Sequence, residues 1–148
     1  MKLTKTVSLL FVVAALYDGL LGLVFLFAPL VAYDYFGVTH PNHLGYVQFP
    51  ALLLIVFAVM FLAIAVRPVA NRNLIPYGIL LKAAYCGVVG WYWLSTGIPN
   101  MWKPFAICDV LFAVLFAWSY MALGRSVRSM PWSVSPTWRT DEDTCARG

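Results

Sequence analysis

Charged side chains are scarce in this chain: they make up 11% of its 148 residues, against about 25% in a soluble domain. That shortage excludes a surface built to face water on every side. Cysteine is scarcer still. Cys86, Cys108 and Cys145 show no paired spacing, which excludes a disulfide framework and a CxxC redox site and leaves them as small hydrophobes. Both histidines, His40 and His43, fall outside the long apolar runs, so no pair of imidazoles is placed to clasp a haem between helices. The chain also lacks a glycine-rich phosphate loop, a Ser/His/Asp set, an internal repeat and any low-complexity tract. On these absences it reads as a non-enzyme, with no cofactor expected beyond a bound quinone or lipid.

What is present is apolar. Hydrophobic residues make up 62% of the sequence, and four stretches reach the roughly 20 residues that a helix needs to cross a bilayer. They are 7–28, 47–66, 74–94 and 104–123. Together they predict an all-α, integral membrane four-helix bundle in a single domain, 1–123, followed by a cytoplasmic tail, 124–148. Lys2, Lys5, Arg67, Arg72, Arg125, Arg128, Arg139 and Arg147 lie on one side of that bundle, and Lys103 alone on the other. This bias places both termini in the cytoplasm. The net charge of +4 is therefore read as topology, not as nucleic-acid binding. Lys2 and Lys5 resemble the basic start of a signal peptide, but the apolar run continues to Ala28 without a small-x-small cleavage site. An uncleaved first helix is expected.

Proline marks the ends of the spans. Pro50, Pro76 and Pro104 are expected in first helical turns, where a missing N–H costs little. Pro29 and Pro68 fall just past the ends of spans one and two. The short linker RPVANRN should make spans two and three antiparallel neighbours. The connection 29–46, PLVAYDYFGVTHPNHLGY, is too polar to cross and too apolar to float, and is expected along the outer interface. There Tyr33, Tyr35, Phe36 and Tyr46 would join Trp91, Tyr92, Trp93 and Trp102 in an aromatic belt. Asp34, His40 and His43 in the same loop are residue types that hold zinc or copper. Their spacing is loose and no fourth ligand is near, so a turn or headgroup contact is expected in place of a metal. Gln48 is expected to cap the second span or meet water. Trp132 and Trp138 in the tail are candidates for docking on a partner or on the membrane surface.

Three charges interrupt the apolar runs: Asp18, Lys82 and Asp109. At ~1.5 Å per residue, Asp18 lies within ~1 Å of its span's centre, Lys82 ~3 Å toward the cytoplasm and Asp109 ~7 Å toward the outside. A lysine stem bridges the first gap, so Asp18–Lys82 is the expected pair, with Asp109 reaching it only through helix tilt or water. A central charge costs about 2.5–3.5 kcal/mol on insertion, against about 0.3–0.6 gained per Leu, Ile, Phe or Val. The first span gains about 4–8 kcal/mol in sum and can carry Asp18. The third gains only about 2.5–5 kcal/mol against Lys82, Pro76 and glycines 78, 87 and 90. It needs a partner that accepts Lys82.

Small neighbours allow the helices to approach: Ala14, Ala15 and Gly22 around Asp18, Gly78 and Cys86 around Lys82, and an Ala83-xxx-Gly87 face beside them. Tyr17 and Tyr85 are placed to hydrogen-bond near the pair. Such a pair fixes helix register. Two carboxylates against one ammonium leave one negative charge over, which a proton on the Asp109 carboxyl would remove. A protonatable acid inside a membrane is a candidate relay or substrate anchor.

The stretches YDGLLGLVFLFAP, NRNLIPYGILLKAAYCGVVG and MWKPFAICDVLFAVLFAWSY, set in four short spans with a long first outer loop, resemble the DoxX-like group of small bacterial membrane proteins. The resemblance is one of architecture and carries no site residue across. It implies a bacterial cytoplasmic (inner) membrane. Through the quinol oxidase linked to the name-giving members, it also implies an accessory role. The expected function is a non-catalytic accessory or assembly subunit of a larger membrane complex, respiratory by this resemblance, self-associating or bound to other membrane subunits. The alternative is a small transporter, or a lipid- or quinone-binding protein, that uses Asp18, Lys82 and Asp109.

Overall fold

In hydrocarbon an unpaired backbone N–H or C=O costs several kcal/mol, so apolar runs of this length fold as helices. The computed structural model describes residues 2–128; Trp132, Trp138 and Cys145 lie outside the described residues. Five helices follow one another: α1 (Lys2–Phe27), α2 (Pro29–Tyr35), α3 (Gly45–Val66), α4 (Ile75–Ser95) and α5 (Trp102–Arg128). All but α2 are long and apolar enough to cross a membrane, α4 together with the 3-10 turn Arg72–Leu74 that precedes it. The protein is a multi-pass, four-helix membrane bundle.

Local chemistry sets the breaks. Ala28 leaves the helical region (φ −135°, ψ 45°) because Pro29 follows it, and Pro29 then opens α2 within its first turn. Gly37, at φ +62°, closes α2: its N–H bonds to the Asp34 carbonyl and that of Val38 to Tyr33. Gly97, at φ +86°, ends α4 in the same way through its N–H to the Tyr92 carbonyl. Pro50 departs from expectation. The N–H groups of Val47 and Gln48 both turn onto the Leu44 carbonyl, so α3 starts earlier and Pro50 lies inside it. At the other end of the chain, α5 runs past Leu123 to Arg128. Arg72 ties the α3–α4 linker to α5: its Nε donates to the Tyr120 carbonyl at 2.9 Å and its guanidinium lies 3.8 Å over the Tyr120 ring. This is a cation–π contact as well as a hydrogen bond.

The bundle is two antiparallel pairs, α1 beside α3 and α4 beside α5. The α1–α3 seam is built from small residues: Ser8, Ala15 and Gly22 on one helix, Ala51, Ala58 and Ala65 on the other, each set repeating every seventh residue. The Ser8 hydroxyl donates to the Ala65 carbonyl, Gly19 faces Ala58, and Gly22 lies against the Ala51 carbonyl. Close backbone approach of this kind is how helices associate where lipid is as apolar as leucine. A Cβ on Gly22 would stand 2.8 Å from both Ala51 O and Ile55 Cγ1. Gly22→Ala should therefore cost about 1–3 kcal/mol by overpacking, read as a lower Tm in detergent. Gly87→Ala, where nothing lies within 4 Å, should leave the Tm unchanged.

Across the two pairs the backbones scarcely approach, and α3 and α4 are not the close neighbours that their short linker suggests. Side chains fill the gap instead. One apolar cluster, around Phe11, Phe61, Ile64, Ile75, Phe116 and Leu123, occupies the half nearer the termini. A second, around Phe25, Tyr33, Val47 and Met101, closes the opposite end. The three intramembrane charges lie between them.

Candidate functional site

Lys82 leaves α4 toward the middle of the bundle and is 1% exposed; Asp18 on α1 is 0% and Asp109 on α5 is 6% exposed. The ammonium Nζ donates to both Asp18 oxygens, at 2.6 Å (Oδ1) and 2.9 Å (Oδ2). Asp109 Oδ1 lies 2.9 Å from the same nitrogen. That third contact is ionic in distance but not aligned as a hydrogen bond, and Asp109 Oδ1 is left buried without a hydrogen-bond partner. Nζ also sits 5.3 Å from the Tyr17 ring centroid and 5.6 Å from that of Phe112. The expected Asp18–Lys82 pair is present, as the stronger side of a three-residue cluster.

The position of Asp109 corrects the depth estimate, which kept it apart from Lys82. That estimate centred every helix at one level. The Cys86 thiol, however, lies 3.4 Å from the Ala106 carbonyl, which sets the α4–α5 register. Four residues back along α4 and three on along α5 are then level, so Lys82 faces Asp109 directly. The last turns of α4 correspondingly project beyond the start of α5.

Above the charges, toward α2, lies a cavity of about 310 Å3. Asp18, Asp109, Tyr17 and Tyr85 form its polar floor, and Phe25, Tyr33, Trp102 and Phe105 are among its aromatic walls. Lys82 does not line it. Beneath the charges the interior is filled. Phe11 and Phe116 stack at 4.5 Å between centroids, and Phe61 closes on them at 5.8 and 5.1 Å. Gly78 makes room for two of these rings, since a Cβ there would stand 2.7 Å from Phe61 Cε1 and 3.3 Å from the Phe116 ring.

Several expected contacts resolve differently. Tyr85 donates to the Trp102 carbonyl at 3.2 Å, away from the ion pair. The Tyr17 hydroxyl is buried with no partner. Tyr33 and Trp102 leave the aromatic belt and turn inward against Phe25, at 6.4 and 5.7 Å between centroids. Tyr35, Phe36, Tyr46, Trp91, Tyr92 and Trp93 do stand exposed. Ala83 and Gly87 are exposed too, because the rotation that points Lys82 inward carries the next residue about 100° round the helix. Gln48 does not cap its own helix; its amide donates to the Leu26 carbonyl at 3.3 Å.

In the α2–α3 loop His40 Nε2 lies 2.6 Å from Asp34 Oδ1, while His43 Nδ1 accepts the Gly45 N–H at 3.0 Å. The two imidazoles are therefore committed to different partners, and among the described residues no group of three or more ligating side chains converges.

Asp18→Asn replaces one of the two oxygens that accept from Lys82 with an amide NH2 and removes the negative charge, leaving a buried donor short at a cost of about 1–3 kcal/mol. Asp109→Asn keeps the Asp18–Lys82 pair whole and should cost less than about 1 kcal/mol. Thermal unfolding of the two variants in one detergent checks the order. Equal, negligible losses would remove the pair from the account. No family model, curated protein or solved structure matches the chain.

Proposed function

We propose that the protein captures a small, mainly apolar molecule in this cavity, as a small transporter or lipid-binding protein does, and is not simply an accessory subunit. The observation that carries the reading is the cavity's reach from the far end of the bundle down to two buried carboxyl groups. A bundle that used Asp18, Lys82 and Asp109 only to fix register would pack its interior around them. Here the space above them is open and lined by aromatic rings, which suits a ligand with an apolar body and one polar end. Access is from the side. Tyr46, Pro50 and Leu53 form an exposed rim on α3, on the flank where α3 and α4 stand apart, and that flank faces lipid. The distribution of Lys and Arg supports a cytoplasmic-membrane protein with both termini inside, which turns the cavity toward the outer leaflet.

Native mass spectrometry from mild detergent tests this. The expected result is one small molecule per chain, lost in Leu54→Trp, which places an indole in the cavity. A chain that carries no small molecule, alone or together with a second membrane subunit, overturns the reading; the second subunit would favour the accessory role.

A further inference from the structure

The polar atoms that a ligand meets on the cavity floor are not balanced. Asp18 and Asp109 both line it, whereas the cluster's only cation, Lys82, does not and has two hydrogen bonds committed to Asp18. Asp109 Oδ1 lies 2.9 Å from the Lys82 ammonium but out of line with it, and accepts no hydrogen bond. The lining at this level includes the aromatic rings of Tyr17, Phe25, Trp102 and Phe105. Two carboxyl groups below and aromatic rings around favour a ligand that brings positive charge.

From this, and resting on the cavity-binding reading above, we infer that the cavity selects a monovalent organic cation with an apolar body, such as a lipophilic primary amine, which displaces a proton from the Asp109 carboxyl. The charge count closes on this exchange. With both acids ionised and Lys82 charged, the cluster carries one net negative charge, which hydrocarbon does not tolerate alone. Either a proton or a bound monocation neutralises it, and the two compete for Asp109. The titratable and charged groups facing that carboxyl are Lys82, Tyr85 and Cys86 on α4 and Asp18 and Tyr17 on α1. On α3, the lining residues Tyr46, Val47, Pro50, Ala51, Leu53 and Leu54 bring no charged group to the cavity. One cation in and one proton out leave the site neutral in both states.

The test uses the full chain in lipid nanodiscs and two isosteric probes, 2-phenylethylamine and 2-phenylethanol, with binding followed by calorimetry. The amine should bind at least tenfold more tightly than the alcohol. Its affinity should fall as pH is lowered, by up to tenfold per unit for a single exchanged proton, and weakly buffered solution should register about one proton released per amine bound. Asp109→Asn should abolish the amine's advantage while leaving alcohol binding in place, and Asp109→Glu should restore it. Equal affinities, or an amine preference untouched by Asp109→Asn, overturn the cation inference and leave the cavity reading standing. Binding of neither probe overturns the cation inference; if native mass spectra also show no bound molecule, the cavity reading falls with it.

Discussion

Lys82→Met should be the most damaging single change to the charged cluster, lowering stability by about 3–5 kcal/mol. Methionine replaces the lysine stem in volume, so little packing is lost; what disappears is the ammonium that two buried carboxyl groups share. Charge, not shape, is therefore under test, and the double variant separates them. Adding Asp18→Asn to Lys82→Met removes the charge left stranded by the first change and should recover most of the loss, because an apolar or neutral replacement of a buried ion pair is often close to neutral. The single variant should fall below the wild type in thermal stability and in the fraction running as a monodisperse species. The double variant should sit between them. A double variant worse than the single would mean that Asp18 acts through some contact other than Lys82.

This cluster was legible in part, and the reason for the division is physical. Hydropathy and helical rise place a residue along its own axis, so Asp18 and Lys82 could be brought together at mid-bilayer. They fix nothing about how far one helix slides past its neighbour. That offset, set between Cys86 and Ala106, brings Asp109 level with Lys82. The same gap in information hid the cavity walls. Tyr33 and Trp102 share their residue types with the outward-facing Tyr35 and Trp91; the break at Ala28 redirects the chain into α2, which carries Tyr33, and Trp102, at the start of α5, packs against Phe25 and Tyr33. By contrast, the seven-residue spacing of Ser8, Ala15, Gly22 and of Ala51, Ala58, Ala65 stands in the sequence itself. Reading small residues only as neighbours of Asp18 passed over it.

The second large effect should come from Phe116→Ala, at about 3–5 kcal/mol. Phe116 is 0% exposed, and its ring is held on several sides: stacked on Phe11 at 18° between planes, edge-on to Phe61, tilted against Phe112 at 5.8 Å between centroids, and faced by Gly78. In a membrane the loss is one of packing, since removing the ring forfeits close contacts that lipid would otherwise replace only outside the bundle. Phe49→Ala, at a side chain 65% exposed, is the matched control and should cost little. The same ring also belongs to the cluster that fills the interior beneath the charges. Ser119, one turn further along α5, is 0% exposed and its hydroxyl has no partner. With the Phe116 ring gone, the space above the charges should extend down to that level. In a background without the native cysteines, Ser119→Cys should resist a small thiol reagent while Phe116 is present and react once Phe116→Ala is added. Equal reactivity in both, with the fold retained, would mean that the phenylalanine cluster does not seal this end of the bundle, and that the cavity is instead part of a continuous path through it.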